Sequence, residues 1–155
     1  MKNVVCDLCF HHCVLKEGQR GFCRARIVKH GKIICENYGK ITSLALDPIE
    51  KKPLRRFHPG SNILSIGSYG CNMRCPFCQN HEISMSETIP YHTISPATLV
   101  ELACAKRKDR NIGIAFTYNE PLISYEYVFD CAVAAKAKDL AVVIVSNGMI
   151  ETTKL

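Results

Sequence analysis

The chain has 155 residues, 47% of them hydrophobic, and a net charge of +6, with mean hydropathy near zero. These values describe one globular domain, or one domain with a small appendage, and exclude a disordered tail. No apolar run approaches the roughly 20 residues that span a bilayer, and residues 1–7 lack the apolar centre of a signal peptide, so the expectation is a cytoplasmic protein without membrane contact.

Residues 1–58 read as a small β module, and residues 59–155 as a second unit. The first segment opens with Cys6, Cys9, Cys13 and Cys23. Strand-like runs follow at Arg26–Lys29, Lys32–Cys35 and Ile41–Leu46, separated by turns at His30-Gly31 and Tyr38-Gly39. This segment holds the basic excess, 12 Lys and Arg against 5 Asp and Glu, whereas residues 59–155 carry 8 against 9. No aromatic residues interleave with these cations, so they read as a solvated face rather than a nucleic-acid surface.

Beyond Gly60 strand and helix alternate. Asn62–Ser68 is a short apolar strand. A helix is predicted over Pro96–Asp109, with Ser95 as N-cap and Pro96 at its first position. Its apolar face is drawn from Leu99, Leu102 and Ala103. Ile112–Phe116 is the second strand. The next helix covers Tyr125–Lys138, with Ser124 as candidate cap and Val128, Cys131, Ala132 and Ala135 facing inward. Ala141–Val145 is the third strand, a continuous apolar run of the kind buried on both faces of a parallel sheet. The fold class is therefore α/β, with parallel strands joined by helical crossovers.

The unusual residues fall at the carboxyl ends of these strands. Cys71, Cys75 and Cys78 follow the first, Asn119 and Glu120 the second, Ser146 and Asn147 the third. That edge is where α/β folds build their sites. In a reducing compartment, clustered thiols point to metal rather than disulfides. Three thiolates this close suit a [4Fe–4S] cluster with one iron left open. A zinc site completed by His81 is the alternative that spacing leaves. Cys6, Cys9, Cys13 and Cys23 suit a structural zinc or a second iron–sulfur cluster. Cys35, Cys104 and Cys131 stand alone and read as core residues.

The C-x3-C-x2-C spacing, with Phe77 before the last cysteine, resembles the signature of radical S-adenosylmethionine (SAM) enzymes. The resemblance implies that Cys71, Cys75 and Cys78 ligate the cluster and that Phe77 lies near the adenine. It implies that SAM chelates the open iron, that a reductant such as flavodoxin or ferredoxin supplies the electron, and that a 5′-deoxyadenosyl radical abstracts hydrogen from the substrate. Asn119-Glu120-Pro121 resembles the stretch of glycyl-radical activating enzymes that meets the SAM amino group. Ser146-Asn147-Gly148 resembles a later segment of the same enzymes. Gly70-Cys71-Asn72, Cys78-Gln79-Asn80, Thr117–Pro121 and the run Asp47–Leu54 are similar to the radical SAM enzyme of the AmmeMemoRadiSam system, a relative of pyruvate formate-lyase activating enzyme. Arg55-Arg56 departs from that pattern.

The implied fold is a partial (βα) radical SAM barrel behind a Cys-rich module. Three strands are fewer than such a barrel needs. The expectation is a truncated chain, or one half of a split enzyme whose separately encoded C-terminal half would complete the pocket. A substrate protein is a further expected partner. The competing expectation is a non-catalytic zinc-binding protein acting through a partner.

Overall fold

A computed structural model describes residues 3–86 and 88–154. The N-terminal segment opens with a hairpin of β1 (Val4–Val5) and β2 (Val14–Leu15). A second hairpin pairs β3 (Arg26–Lys29) with β4 (Lys32–Cys35). Here the expected strand bounds and the His30-Gly31 turn are both observed.

The strand expected at Ile41–Leu46 is instead two elements. β5 (Lys40–Ile41) pairs with β8 (His92–Thr93), which lies beyond the short helix α1 (His81–Met85). β6 (Ser43–Pro48) joins the central sheet, antiparallel to β7 (Asn62–Gly67). The break falls at Thr42, whose N–H donates to the Gly67 carbonyl. A run read as part of the small module is thus an edge strand of the main sheet.

That sheet has the order β10-β9-β7-β6. β7, β9 (Asn111–Phe116) and β10 (Ala141–Ile144) are parallel. The crossovers are α2 (Pro96–Ala105) and α3 (Tyr125–Lys136). The strands advance in one direction, and the helices pack against each other and against β9. Crossovers of one hand therefore place both helices on one face. The sheet is open, and the described residues form no closed barrel.

Alternation along the strands builds two cores. Leu64, Ile66, Ile114 and Phe116 meet Leu99, Ala103, Val128 and Cys131 on the helical side. Ile49, Ile63 and Ala115 form a smaller cluster on the opposite side. The larger cluster also includes Cys6, Leu8, Cys9, Cys23 and Ala25, so apolar packing runs continuously across position 58.

Ser95 caps α2 as expected, its hydroxyl accepting from the Thr98 N–H at 3.1 Å. Three other expectations are corrected. Val100, not Leu102, joins Leu99 and Ala103 on the buried face, and Leu102 is 38% exposed. The helix is rotated because its packing partners are α3 and β9 together. Ser124 does not cap α3; its hydroxyl donates to Asn37 Oδ1 at 2.8 Å. A 3-10 turn at Pro121–Ser124 precedes that helix, and Glu120 caps it. β10 is half-buried rather than buried on both faces, because it is the last strand of the sheet. No helix among the described residues is long and apolar enough to cross a membrane.

A buried ion pair lies on the face away from the helices. Asp47 accepts from Lys52 Nζ at 2.8 Å and from the Tyr118 hydroxyl at 2.7 Å. Burial pushes the Asp47 carboxyl up, but Lys52, Tyr118 and Lys51 together hold it well below its usual value of 3.8. A depressed carboxyl adds stability above its unfolded pKa and loses it as pH falls through the folded value. Asp47→Asn is therefore expected to cost about 3 kcal/mol at pH 7, because it leaves Lys52 buried without its partner. The deficit against wild type should shrink as pH drops below about 4. Urea unfolding at stepped pH measures both.

Candidate metal and cofactor site

The rim at the carboxyl ends of β7, β9 and β10 gathers the residues singled out by sequence. Gly70 leads the cysteine loop out of β7 with φ +88°, and its N–H donates to the Ser84 carbonyl at 2.7 Å. The loop thus folds back on α1. Cys71, Cys75 and Cys78 are each half-buried. Burial pushes the Cys71 thiol up, while the backbone N–H groups of Met73 and Glu120 hydrogen-bond its sulfur and pull it down. Such N–H···S contacts favour the thiolate, the form that binds metal. Phe77 points outward at 85% exposure.

Glu120 turns inward, at 2% exposure. Its Oε1 accepts from the Leu122 N–H and the Ser146 hydroxyl, both at 2.9 Å. Its Oε2 accepts from the Asn147 N–H at 2.7 Å and from Ser146 at 3.1 Å. The carboxylate's acceptor sites are thereby engaged. Asn119 Oδ1 accepts from the Ser68 N–H, and its Nδ2 donates to the Gly70 carbonyl at 2.9 Å. Both residues therefore fasten the end of β9 to its neighbours on either side.

Asn72 is the residue that sequence reasoning missed. It is fully buried. Its Nδ2 donates to the Met149 carbonyl at 3.0 Å, and its Oδ1 accepts from Asn147 Nδ2 at 2.9 Å. Its side chain also hydrogen-bonds the Cys9 thiol. His11 Nε2–H donates to its carbonyl at 2.9 Å. A lone asparagine inside a cysteine motif carries no periodic or spacing signal of this role.

The N-terminal cysteines stand on the same rim. Cys6, Cys9 and Cys23 are buried, and Cys13 is half-buried. The Phe22 N–H donates to Cys13 Sγ at 3.4 Å. Burial pushes the Cys23 thiol up to about 11, opposed by the N–H groups of Ala25 and Arg26. Cys9 is also pushed up by burial, opposed by the N–H of His11. The two sets meet at the backbone: a Cβ on Gly70 would stand 2.5 Å from the Cys23 carbonyl oxygen. Cys9 bridges Ile150, and the Glu151 N–H donates to the Leu8 carbonyl.

No three His, Cys, Asp or Glu side chains among the described residues are arranged around a single metal ion. The donor chemistry nonetheless fits a cluster at the second set. It offers three thiols on one short loop, with amide hydrogens already directed at a sulfur.

Asn72→Ala is expected to cost about 2 kcal/mol, because the Met149 carbonyl and the Asn147 amide lose their partners. Urea denaturation of the two chains measures it. Asn72→Asp should recover none of the loss, since a carboxylate cannot donate to Met149 and brings an unpaired charge to a buried position.

The model of the Radical SAM superfamily matches residues 65–154. Over 155 aligned residues the chain is 42% identical to the uncharacterized protein MJ0808 of Methanocaldococcus jannaschii, covering 99% of this chain and 46% of that protein. It is 33% identical over 128 residues to the uncharacterized protein MJ0674 of the same organism, covering 77% of this chain and 32% of that protein. The chain thus spans less than half the length of these curated relatives. No solved structure matches it. With the family match covering more than half of its residues, including the cysteine loop and both later rim segments, the chain belongs to the radical SAM superfamily, a family that implies an iron–sulfur cluster and SAM.

Proposed function

We propose that this chain is the cluster- and SAM-binding part of a radical SAM enzyme that abstracts hydrogen in the manner of the glycyl-radical activating enzymes. The observation that carries the reading is the rim itself. Cys71, Cys75 and Cys78 follow β7, and Glu120, Ser146 and Asn147 from the next two strands are hydrogen-bonded together beside them. When bound, the cluster and SAM supply one-electron cleavage of the sulfonium and the hydrogen abstraction that follows. An external reductant, flavodoxin or ferredoxin in kind, provides the electron.

The chain's own residues have separate tasks in this reading. Cys71, Cys75 and Cys78 hold the cluster, and the Met73 and Glu120 amides stabilise the charge on the Cys71 sulfur. Phe77 offers an exposed ring face to the adenine. Glu120 is the carboxylate for the SAM ammonium. To receive it, Glu120 must give up one of the donors it now holds, and the bifurcated Ser146 hydroxyl is the cheapest to release. Asn119 and Asn147 keep the loops in register while that exchange occurs.

Cys6, Cys9, Cys13 and Cys23 hold a structural metal in this reading, zinc before a second cluster. The amide contacts at the sulfurs of Cys9, Cys13 and Cys23 and the burial of Cys6, Cys9 and Cys23 support a closed site. The AmmeMemoRadiSam resemblance supports the activase-like chemistry, and a substrate protein fits that class.

Anaerobic reconstitution with iron and sulfide, followed by reduction and EPR with and without SAM, tests the assignment. The expected result is a [4Fe–4S]⁺ signal that changes on adding SAM. It should be lost in Cys71→Ala, Cys75→Ala and Cys78→Ala and retained in Cys6→Ala. Zinc without sulfide in wild type would sink it. In Glu120→Gln the cluster signal should persist with its response to SAM reduced.

A further inference from the structure

A cavity of about 720 Å³ lies between the N-terminal segment and the cysteine loop. Sites for small organic ligands fall at roughly 300–1,000 Å³. Among the described residues its walls carry four cations, Arg20, Arg24, Lys40 and Arg74, against one carboxylate, Glu36. That carboxylate is engaged, because Arg20 donates to both its oxygens, at 2.5 and 2.9 Å.

Lys40 and Arg74 are held differently. Neither forms an ion pair with the described acidic residues. Each lies on an aromatic face instead. Lys40 Nζ is 4.9 Å from the Tyr91 ring centre and 5.9 Å from that of Tyr69. The Arg74 guanidinium is 4.6 Å from the Phe22 ring centre. A cation on a ring at an exposed site gains about 0.5–1 kcal/mol. A charge-assisted hydrogen bond to an anion is stronger. Both cations can therefore turn to an anion without breaking an ion pair to any described residue, and their movement uncovers flat apolar faces.

We propose that this cavity binds a small organic anion, a carboxylate or phosphate monoester attached to a flat ring. Lys40 and Arg74 take the anion, and Phe22, Tyr69 and Tyr91 take the ring. The site is separate from Glu120, which is absent from its walls. Arg74 adjoins Cys75 in the chain, so the ligand lies beside the cysteine loop. The inference stands without the cluster assignment.

Isothermal titration calorimetry of the full chain with phenyl phosphate, benzoate and inorganic phosphate tests it. Benzyl alcohol and benzylamine serve as neutral and cationic controls. The ring-bearing anions should bind, inorganic phosphate more weakly, and the controls not at all. The tighter of phenyl phosphate and benzoate identifies the anion. Lys40→Gln and Arg74→Gln should each weaken binding about tenfold. Lys108→Gln, at the opposite edge of the sheet, should leave it unchanged. Lys40→Arg keeps the charge and should retain binding, which separates loss of the cation from loss of the fold. Absence of binding, equal binding of the controls, or full binding by both Gln variants at wild-type thermal midpoints would overturn the proposal. No step reads iron or SAM, so failure here leaves the cluster assignment standing.

Discussion

The rim depends on one buried carboxylate. Glu120 brings a charge to a position with 2% exposure, which is costly unless its acceptor sites are filled. Leu122, Ser146 and Asn147 fill them. The same hydrogen bonds fix where the loops after β9 and β10 lie. Asn119 and Asn72 extend the arrangement to the loop after β7. Three parallel strands with separate crossovers are thereby given a common upper edge.

The N-terminal segment is integral to that edge. Gly70 approaches the Cys23 backbone too closely for any side chain. Arg26, 9% exposed at its side chain, reaches Glu126 at the start of α3 at 2.5 Å. Both contacts tie the segment to the sheet-and-helix unit, one through the cysteine loop and one through a helix. The two cysteine sets therefore share neighbours.

Much of this was legible in the residues. Short apolar runs bounded by turns located β3, β4, β7 and β9, and the Ser95-Pro96 pair located the start of α2, because these signals are local. The rim residues were legible as a group, since strand order alone puts them on one edge. What escaped was set by partners distant in sequence. β6 belongs with β7 because of Leu44–Ile66 and Leu46–Leu64 pairing, which no property of residues 43–48 announces. Val100 replaces Leu102 on the inner face of α2 because α3 packs there. Ser124 had the chemistry of a cap, but Asn37, 87 residues away, claims its hydroxyl. Asn72 entered only as part of the Gly70-Cys71-Asn72 stretch, with no role of its own, and is the point where both cysteine sets and the loop after β10 meet.

The bridge between Cys9 and Ile150 has a kinetic meaning. It joins residues 141 positions apart, and it is reinforced by His12 and Glu151 at 3.0 Å. Contacts of such separation close late, after the β7–α2–β9 unit has paid its smaller loop entropies. The bridge acts as a clasp on an otherwise sequentially assembled arc. Any fluctuation that lifts the first hairpin also frees the segment holding Met149 and loosens the seat of Asn72. Solvent and oxidants then reach the buried N-terminal thiols and the cysteine loop in one opening event rather than two.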